Sequence, residues 1–197
     1  MKILKINSSA NQTNSISRNV VDYAVSKLKD KNSNSEVIDR DVAYSNLPYL
    51  DQNFVTAMFQ RGQLTEEQKE TLQLSDTLIN ELISSDVIVL GAPMYNFTIP
   101  SGLKSYIDLI CRPGRTFNFN SMGVSHGLLK NKTAIVIISS GGTKLGSKDD
   151  FIKGYLTKVF DFIGITKVEF LDMDQAGFKY KEKIQTVTTK LTNLLEA

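Results

Sequence analysis

The chain has 197 residues, of which 41% are hydrophobic, and this length and composition predict one globular domain spanning residues 1–197. Its 23 basic and 21 acidic side chains leave a formal net charge of +2 without long runs of either sign, so the charge pattern of a nucleic-acid or membrane-surface binder is missing. The single cysteine, Cys111, excludes an intrachain disulfide and suits a reducing compartment. The first residues have too short an apolar stretch for a signal peptide, and no later run reaches the roughly 18 apolar residues of a membrane span. We therefore expect a cytoplasmic protein with no membrane and no nucleic-acid partner.

Five short segments predict a buried sheet. Four are apolar runs rich in β-branched residues and without alternation, which is typical of strands buried on both faces. The fifth, "SEVIDRDV" at Ser35–Val42, is more polar and is predicted to lie nearer an edge. The four apolar runs are Ile3–Ile6, Asp86–Leu90, Ala134–Ile138 and Lys167–Leu171.

Helical periodicity fills the segments between these strands. After the first strand, apolar residues from Ile16 to Leu28 recur on one face. This pattern leaves Arg18, Asp22 and Lys29 for solvent. The sequence "TEEQ" at Thr65–Gln68 has the spacing of a capping box and predicts the start of a second helix.

Three further helices are predicted in the second half of the chain. Pro100 suits the first turn of a helix, where its missing N–H group is no loss. Lys148–Ile163 has an apolar surface too wide for one sheet to cover, and Lys181–Leu195 has a more modest one. Strand and helix therefore alternate, which predicts a doubly wound α/β fold with helices on both faces of a parallel five-stranded sheet. Ligands of such folds bind at the carboxyl ends of the strands.

The loop after the first strand, "SSANQTNSIS" at Ser8–Ser17, is almost entirely polar. Eight of its ten residues carry a hydroxyl or a carboxamide group, and none is Lys or Arg. Backbone N–H groups, the hydroxyls of Ser9, Ser15 and Ser17, and the positive end of the following helix would hold a phosphate there. A polar loop with an N-capping serine explains the same residues equally well. The glycine fingerprints of dinucleotide and P-loop sites are absent from this turn.

A second loop follows the third strand. "MYNF", Met94–Phe97, lies between Pro93 and Pro100 and is predicted to cross the top of the sheet as extended backbone. Its polar edge and its Met, Tyr and Phe side chains would suit a flat heteroaromatic ring. A tight connection whose aromatic residues cover the core is the alternative explanation.

A third loop, "SSGG" at Ser139–Gly142, directly follows the apolar run Ala134–Ile138. Paired glycines permit positive φ angles and the close approach of a ligand, although an ordinary turn would also use them. The coincidence of three such loops after three strands favours function, because one sheet would bring them together. They outline a site for a mononucleotide that carries a flat ring.

The segment "PMYNFTIPSGLKSYIDLICRPGRTF", Pro93–Phe117, resembles the signature of the FMN-dependent NADH-azoreductases. This flavodoxin-like family also contains quinone reductases. The resemblance extends over the whole chain: Ser9 and the triplet "SIS" resemble the family's phosphate loop, "SSGG" resembles its isoalloxazine-edge loop, and "DFIGI" at Asp161–Ile165 resembles the entry to its last strand. It implies a flavodoxin-like fold, FMN as cofactor, and a homodimer whose active sites take walls from both chains.

The resemblance also assigns roles to single residues. The phosphate and ribityl end of FMN would be bound at one end of the site, the isoalloxazine ring would be bordered by the MYNF loop, and its pyrimidine side would face the SSGG loop. Three phenylalanines are candidates to line the substrate cavity. The cofactor set is Ser9, Ser15, Ile16, Ser17, Met94, Tyr95, Asn96, Phe97, Ser139, Ser140, Gly141 and Gly142, and the substrate set is Phe119, Phe151 and Phe162.

This sequence departs from the family's best-known form at three positions. Ser140 stands where that form has an arginine, so a charge near the substrate mouth is lost. Phe119 replaces a tyrosine often found there, and Thr143 replaces a hydrophobic residue. These changes bear on substrate preference more than on the flavin.

The resemblance implies a ping-pong reaction. NADH or NADPH reduces the flavin by hydride transfer, and a small planar aromatic acceptor, an azo compound or a quinone, is then reduced in the same place. No side-chain constellation offers a substitute for the flavin, because His126 is the only histidine and a surface position suits it. We expect no metal site. Cys111 has helical neighbours Ile107 and Ile110, which favours core packing over a nucleophile, and Lys104 with Asp108 has the spacing of a surface pair.

Two other functions remain open from the sequence. A flavodoxin-type electron carrier would share the sheet and FMN without oxidising NAD(P)H directly. The near-neutral charge and the additional segment Asn53–Gln63 argue against it. A flavin-free regulatory or scaffold module could also have the same fold.

Overall fold

The computed structural model describes residues 1–196 and contains seven strands within them. Ala197, the last residue of the predicted domain, lies outside the described residues. The strands are β1 (Lys2–Asn7), β2 (Glu36–Asp41), β3 (Val87–Pro93), β4 (Phe117–Phe119), β5 (Ser125–Gly127), β6 (Thr133–Ser139) and β7 (Lys167–Met173).

Five strands form one parallel sheet in the order β2–β1–β3–β6–β7. This confirms the predicted five-stranded α/β fold, and the polar strand β2 lies at an edge as expected. The order of the strands reverses between β1 and β3. Their carboxyl ends therefore border the crevice in which doubly wound sheets bind ligands.

Within residues 1–196, six helices cover the two faces of the sheet. One face is packed by α1 and α6, and the other by α2, α3, α4 and α5. Successive strand residues alternate between the two cores: Leu4 and Ile6 belong to one, and Ile3 to the other. The helices are α1 (Ile16–Lys31), α2 (Gln52–Met58), α3 (Glu66–Ser84), α4 (Ser101–Ile110), α5 (Lys153–Ile163) and α6 (Ala176–Glu196).

The predicted capping box at the start of α3 is confirmed. The Thr65 hydroxyl accepts the Gln68 N–H at 3.2 Å, and the Gln68 side chain accepts the Thr65 N–H at 3.0 Å. Both bonds satisfy N–H groups that a helix start otherwise leaves without partners.

Two helix boundaries were predicted wrongly. Helix α5 begins at Lys153 rather than Lys148, with Ile152 as its N-cap residue, and the preceding Asp150 carboxylate accepts the N–H groups of Ile152 at 3.0 Å and Lys153 at 3.1 Å. Helix α6 begins at Ala176 rather than Lys181 and has a kink at Lys179, where φ is −122°. Its first N–H groups bond to carbonyls of the loop after β6, and this early start matters for the site.

Three elements were not predicted at all. Strands β4 and β5 form a separate antiparallel hairpin, in which Phe117 pairs with Gly127 and Phe119 with Ser125. Helix α2 occupies much of the additional segment Asn53–Gln63. None of the helices within residues 1–196 is both long enough and apolar enough to cross a membrane.

Candidate functional site

Hydrogen bonds join the three predicted loops at the carboxyl edge of the sheet. We call them the polar loop (Ser8–Ser17), the Asn96 turn (Met94–Phe97) and the glycine loop (Ser139–Gly142). The Tyr95 hydroxyl lies 3.3 Å from the Ser9 hydroxyl oxygen and accepts the Ala10 N–H at 3.1 Å. On the other side, the Met94 N–H donates to the Ser139 carbonyl at 2.7 Å. The predicted convergence of the loops is therefore confirmed.

The polar loop is shaped by its own side chains. The Ser9 hydroxyl accepts the Asn11 N–H at 3.2 Å, and the Asn11 side chain accepts the N–H groups of Thr13 at 3.1 Å and Asn14 at 3.0 Å. Such local bonds hold a turn in place without regular structure. The tip of the loop, from Ala10 to Asn14, is exposed.

The end of the polar loop has features of an anion site. Ser15 is the N-cap of α1, and its hydroxyl lies 3.1 Å from that of Ser17. Ser9, Ser15 and Ser17 are all buried. The backbone N–H groups of Ile16 and Ser17 have no acceptor among the described residues, and the first turn of α1 contains no acidic residue. The capping role and the phosphate-binding role that the sequence left open are thus compatible.

The sequence predicted that Arg18 faces solvent, but in the structure it does not. Its side chain is only 12% exposed and forms an ion pair with Asp41 at the end of β2. The guanidinium also donates to the Ser9 carbonyl, with Nη2 at 2.6 Å and Nε at 3.2 Å. Helical periodicity predicted the exposure of Arg18 wrongly, because its partners belong to a strand and a loop that come close to α1 only in the folded chain.

The sequence predicted extended backbone for the Asn96 turn, but this segment forms a tight reverse turn. Tyr95 and Thr98 exchange two backbone hydrogen bonds, at 2.9 and 3.2 Å, and φ is +49° at Asn96 and +72° at Phe97. Positive φ at both central residues is the geometry of a type I′ turn, which asparagine tolerates and phenylalanine does not favour. Backbone strain of this kind is concentrated at functional sites.

The same turn leaves two backbone donors unpaired within the described residues. Within residues 1–196, the N–H groups of Asn96 and Phe97 have no hydrogen-bond partner. Phe97 is 57% exposed. A ring-shaped ligand would therefore meet both unpaired donors and an aromatic surface.

The glycine loop is held in place by the chain that follows β7. The Ser140 N–H donates to the Met173 carbonyl at 3.3 Å, while Ala176 and Gly177 donate to the carbonyls of Ser140 and Gly141 at 3.0 and 3.3 Å. The Ser140 hydroxyl accepts the Gln175 N–H at 3.2 Å and donates to the Thr143 carbonyl. The Ser140 side chain is thus committed to the protein.

Gly141 and Gly142 do not have the left-handed φ angles that the sequence suggested. The structure instead leaves space beside them: a Cβ atom on either glycine would meet no protein atom within 4 Å. This open space and the unpaired donors of the Asn96 turn fit a flat ring with a polar edge.

Asp174 extends this support. Its buried carboxylate accepts the Leu145 N–H at 2.9 Å and pairs with Lys183 of α6. Burial alone would raise the pKa of Asp174, but the Lys183 ammonium and the backbone N–H groups outweigh burial and hold the pKa below its ordinary value. The carboxylate therefore remains charged and anchors the segment that follows the glycine loop.

The three predicted substrate residues do not lie together in this chain. Phe151, which is 60% exposed, lines a groove of about 610 Å³ beside the Asn96 turn, together with Tyr95, Asn96 and Tyr155. Phe119 and Phe162 do not line it. They both contact Phe117, whose ring centroid is 5.5 Å from that of Phe119 and 4.2 Å from that of Phe162.

The remaining candidates have ordinary structural roles. Cys111 packs against the larger core, and burial raises the pKa of its thiol to about 12, so the thiolate form needed for a nucleophile is suppressed. His126 is exposed on the β4–β5 hairpin. Lys104 and Asp108 form the predicted ion pair on α4, at 2.6 Å.

Sequence analysis missed Arg18, Asp41 and Asp174 as supports of the site. Each of these three side chains contacts a partner that is distant in sequence or a backbone group. No local sequence pattern predicts such contacts. The one available signal was position: Asp41 lies at the carboxyl end of one predicted strand, and Asp174 lies shortly after the carboxyl end of another, where the site forms.

The fold and this edge define a class: a doubly wound α/β protein with a mononucleotide-type site at the point where the strand order reverses. The family model described as "Flavodoxin-like fold" matches residues 1–195. The chain belongs to this flavodoxin-like family.

Named relatives cover almost the whole chain. It is 39% identical to the FMN-dependent NADH:quinone oxidoreductase of Pelagibacter ubique (strain HTCC1062), across 99% of this chain and 100% of that protein. It is 42% identical to FMN-dependent NADH:quinone oxidoreductase 1 of Colwellia psychrerythraea (strain 34H / ATCC BAA-681), across 90% and 91% of the two chains.

A solved structure shares the fold. The FMN-dependent NADH-azoreductase of Bacillus anthracis str. Ames Ancestor, in complex with FMN, superimposes with a TM-score of 0.84 at 23% identity and covers 100% of this chain and 98% of that one. The similarity is one of fold.

Proposed function

We propose that this chain is an FMN-dependent oxidoreductase that uses NADH or NADPH to reduce quinones and azo compounds. The observation that carries the proposal is the hydrogen-bonded convergence of the polar loop, the Asn96 turn and the glycine loop, with unpaired N–H groups where a mononucleotide would need them. The similarity to FMN-dependent NADH:quinone oxidoreductases supports the same function. The site is built within a single domain of residues 1–197.

The two ends of the site would bind the two ends of FMN. The hydroxyls of Ser9, Ser15 and Ser17, with the N–H groups of Ile16 and Ser17, would hold the phosphate at the start of α1, where the helix dipole favours an anion. The Asn96 turn would border the ring, and the glycine loop would face its pyrimidine side. Ser140 would contribute through its backbone, because its hydroxyl is already bonded within the protein.

When bound, FMN would supply the redox chemistry by accepting a hydride from the nicotinamide and passing two electrons to the acceptor. The protein's own contribution is electrostatic. The N–H groups of Asn96 and Phe97 are fixed by the strained turn, and such preorganised donors stabilise negative charge that develops at a ring edge. The N–H of Gly142 would act in the same way from the other side.

The groove beside the Asn96 turn suits the planar acceptor. Its volume of about 610 Å³ lies within the usual range for small-molecule sites, and Phe151, Tyr95 and Tyr155 give it aromatic walls. It opens next to the surface on which the ring would lie. A planar acceptor in the groove would therefore be adjacent to the flavin.

A homodimer would complete these walls. On α5, Tyr155, Val159 and Phe162 form a half-buried apolar stripe beside the fully buried one. Phe119 is 51% exposed on the β4–β5 hairpin and does not reach the groove of its own chain. We place Phe119 and Phe162 at the substrate site through contact between two copies. Elution as a monomer at micromolar concentration with full activity would count against this arrangement.

The test of function is an absorbance spectrum of the purified protein, followed by anaerobic titration with NADH and separately with NADPH. We expect a flavin spectrum that one or both nicotinamides bleach and that a quinone then restores. A protein that binds FMN but resists reduction by both nicotinamides would instead be an electron carrier of the flavodoxin type. One that gains no flavin band when incubated with FMN would refute the proposal.

Fractionation of cells, with activity expected in the cytoplasm, would test the proposed location.

A further inference from the structure

Arg18 connects three parts of the structure around the polar loop. Its guanidinium makes four hydrogen bonds: two to the Ser9 carbonyl, and one each to Asp41 Oδ2 at 2.7 Å and Asp41 Oδ1 at 3.0 Å. Asp41 also accepts the Ala43 N–H at 3.1 Å, which fixes the carboxylate to its own turn. The end of β2, the first turn of α1 and the start of the polar loop are thereby tied together.

The charge of Arg18 is already balanced. The bonds to Asp41 raise the pKa of the guanidinium, so it remains protonated at every accessible pH. The Asp41 carboxylate balances this charge at 2.7 Å, so the pair contributes little net charge to the loop. The guanidinium carbon also lies 5.8 Å from the centroid of the Tyr44 ring, whose hydroxyl donates to the Ala10 carbonyl at 2.5 Å. Arg18 and Tyr44 therefore hold consecutive carbonyls of the polar loop.

We infer that Arg18 is a positioning residue for the FMN phosphate: it fixes the Ser9 carbonyl, and through it the loop's hydroxyl and N–H donors, without binding the phosphate itself. The inference rests on the proposed FMN site. The polar loop has no cationic side chain of its own. The inference explains why an arginine nevertheless lies beside it.

The planar fork of an arginine is essential to this role. It lets one guanidinium bind a carboxylate with two nitrogens while two nitrogens also meet the Ser9 carbonyl. A lysine would preserve the charge but has a single nitrogen and cannot hold both partners in this geometry. A residue that acted by attracting the phosphate would tolerate lysine, and a residue that acts by geometry would not.

The experiment measures dissociation constants for FMN and for riboflavin, which lacks the phosphate, in the unaltered protein and in the variants Arg18→Met and Arg18→Lys. We expect both variants to bind FMN at least about tenfold more weakly and to differ from one another by less than about twofold. Riboflavin binding should change by less than about twofold, because the ring side of the site does not depend on Arg18.

Arg40→Met is the matched control. Arg40 is the neighbour of Asp41 in β2, and it forms a comparable partly buried ion pair with Glu81 of α3, a helix that packs on the opposite face of the sheet from α1. This variant should lose stability but keep the FMN-to-riboflavin affinity ratio of the unaltered protein. Thermal unfolding of all variants shows how much of each loss of flavin affinity follows from a loss of global stability.

Two results would overturn the inference. Recovery of FMN affinity by Arg18→Lys to within about twofold of the unaltered protein would show that charge is what matters. Equal losses for FMN and riboflavin would show a general structural role. Failure of the unaltered protein to bind FMN would instead refute the proposed function, so the two failures can be told apart.

Discussion

Replacing Gly142 with leucine is expected to weaken FMN binding by at least about a hundredfold while changing the free energy of unfolding by less than about 1 kcal/mol. A side chain at this position would meet no protein atom near its Cβ, so the folded chain can accept it. The space it would fill is the one that we assign to the pyrimidine side of the ring. Flavin fluorescence titration and thermal unfolding of the same samples measure the two quantities.

Gly154→Leu is the control for this effect. Gly154, in the first turn of α5, also has open space beside it, and leucine favours a helix more than glycine does. FMN binding of this variant should be unchanged and its stability equal or higher. Unchanged FMN affinity in Gly142→Leu would mean that the ring does not lie against the glycine loop.

The second large effect is expected from Gly127→Ala, which should lower the free energy of unfolding by about 3 kcal/mol or more. An added Cβ would lie 2.0 Å from the backbone nitrogen of Gly164 and 2.3 Å from the Ile163 carbonyl carbon. These are backbone atoms at the end of α5 and cannot move aside as a side chain would. The β4–β5 hairpin would have to separate from α5, and Phe117 and Phe119 would be displaced with it.

Gly123→Ala serves as the comparison within the same hairpin. Gly123 has a φ of +75° and open space around it, so alanine there incurs backbone strain but no collision. Chemical denaturation should show a loss of about 1 kcal/mol for Gly123→Ala, clearly less than for Gly127→Ala. Equal losses would contradict the close contact between hairpin and helix.

The strands of the main sheet were predictable because burial on both faces leaves a compositional signal. The runs at Ile3–Ile6 and Ala134–Ile138 extend by only one residue at each end in the structure. Strands β4 and β5 were not predictable, because three residues such as Ser125–Gly127 are too short to show any periodicity. Their position is set by tertiary contact with α5.

Within the site, the sequence predicted which loops meet but not how their backbones are shaped. The strand-to-helix order was enough to place Ser9, Asn96 and Gly142 on one edge. The left-handed φ of Phe97 had no signal, since phenylalanine disfavours that conformation and only the surrounding structure imposes it. The partners of Arg18 were hidden for the same reason: they are brought to it by the fold.

The most direct measurement is a crystal structure of the protein grown with FMN. The account predicts the phosphate within hydrogen-bonding distance of Ser17 and its neighbours, and the ring in van der Waals contact, at about 4 Å, with both the Asn96 turn and Gly142. Flavin bound elsewhere on the protein, or a ring out of contact with either loop, would contradict the claim that these three loops form one mononucleotide site.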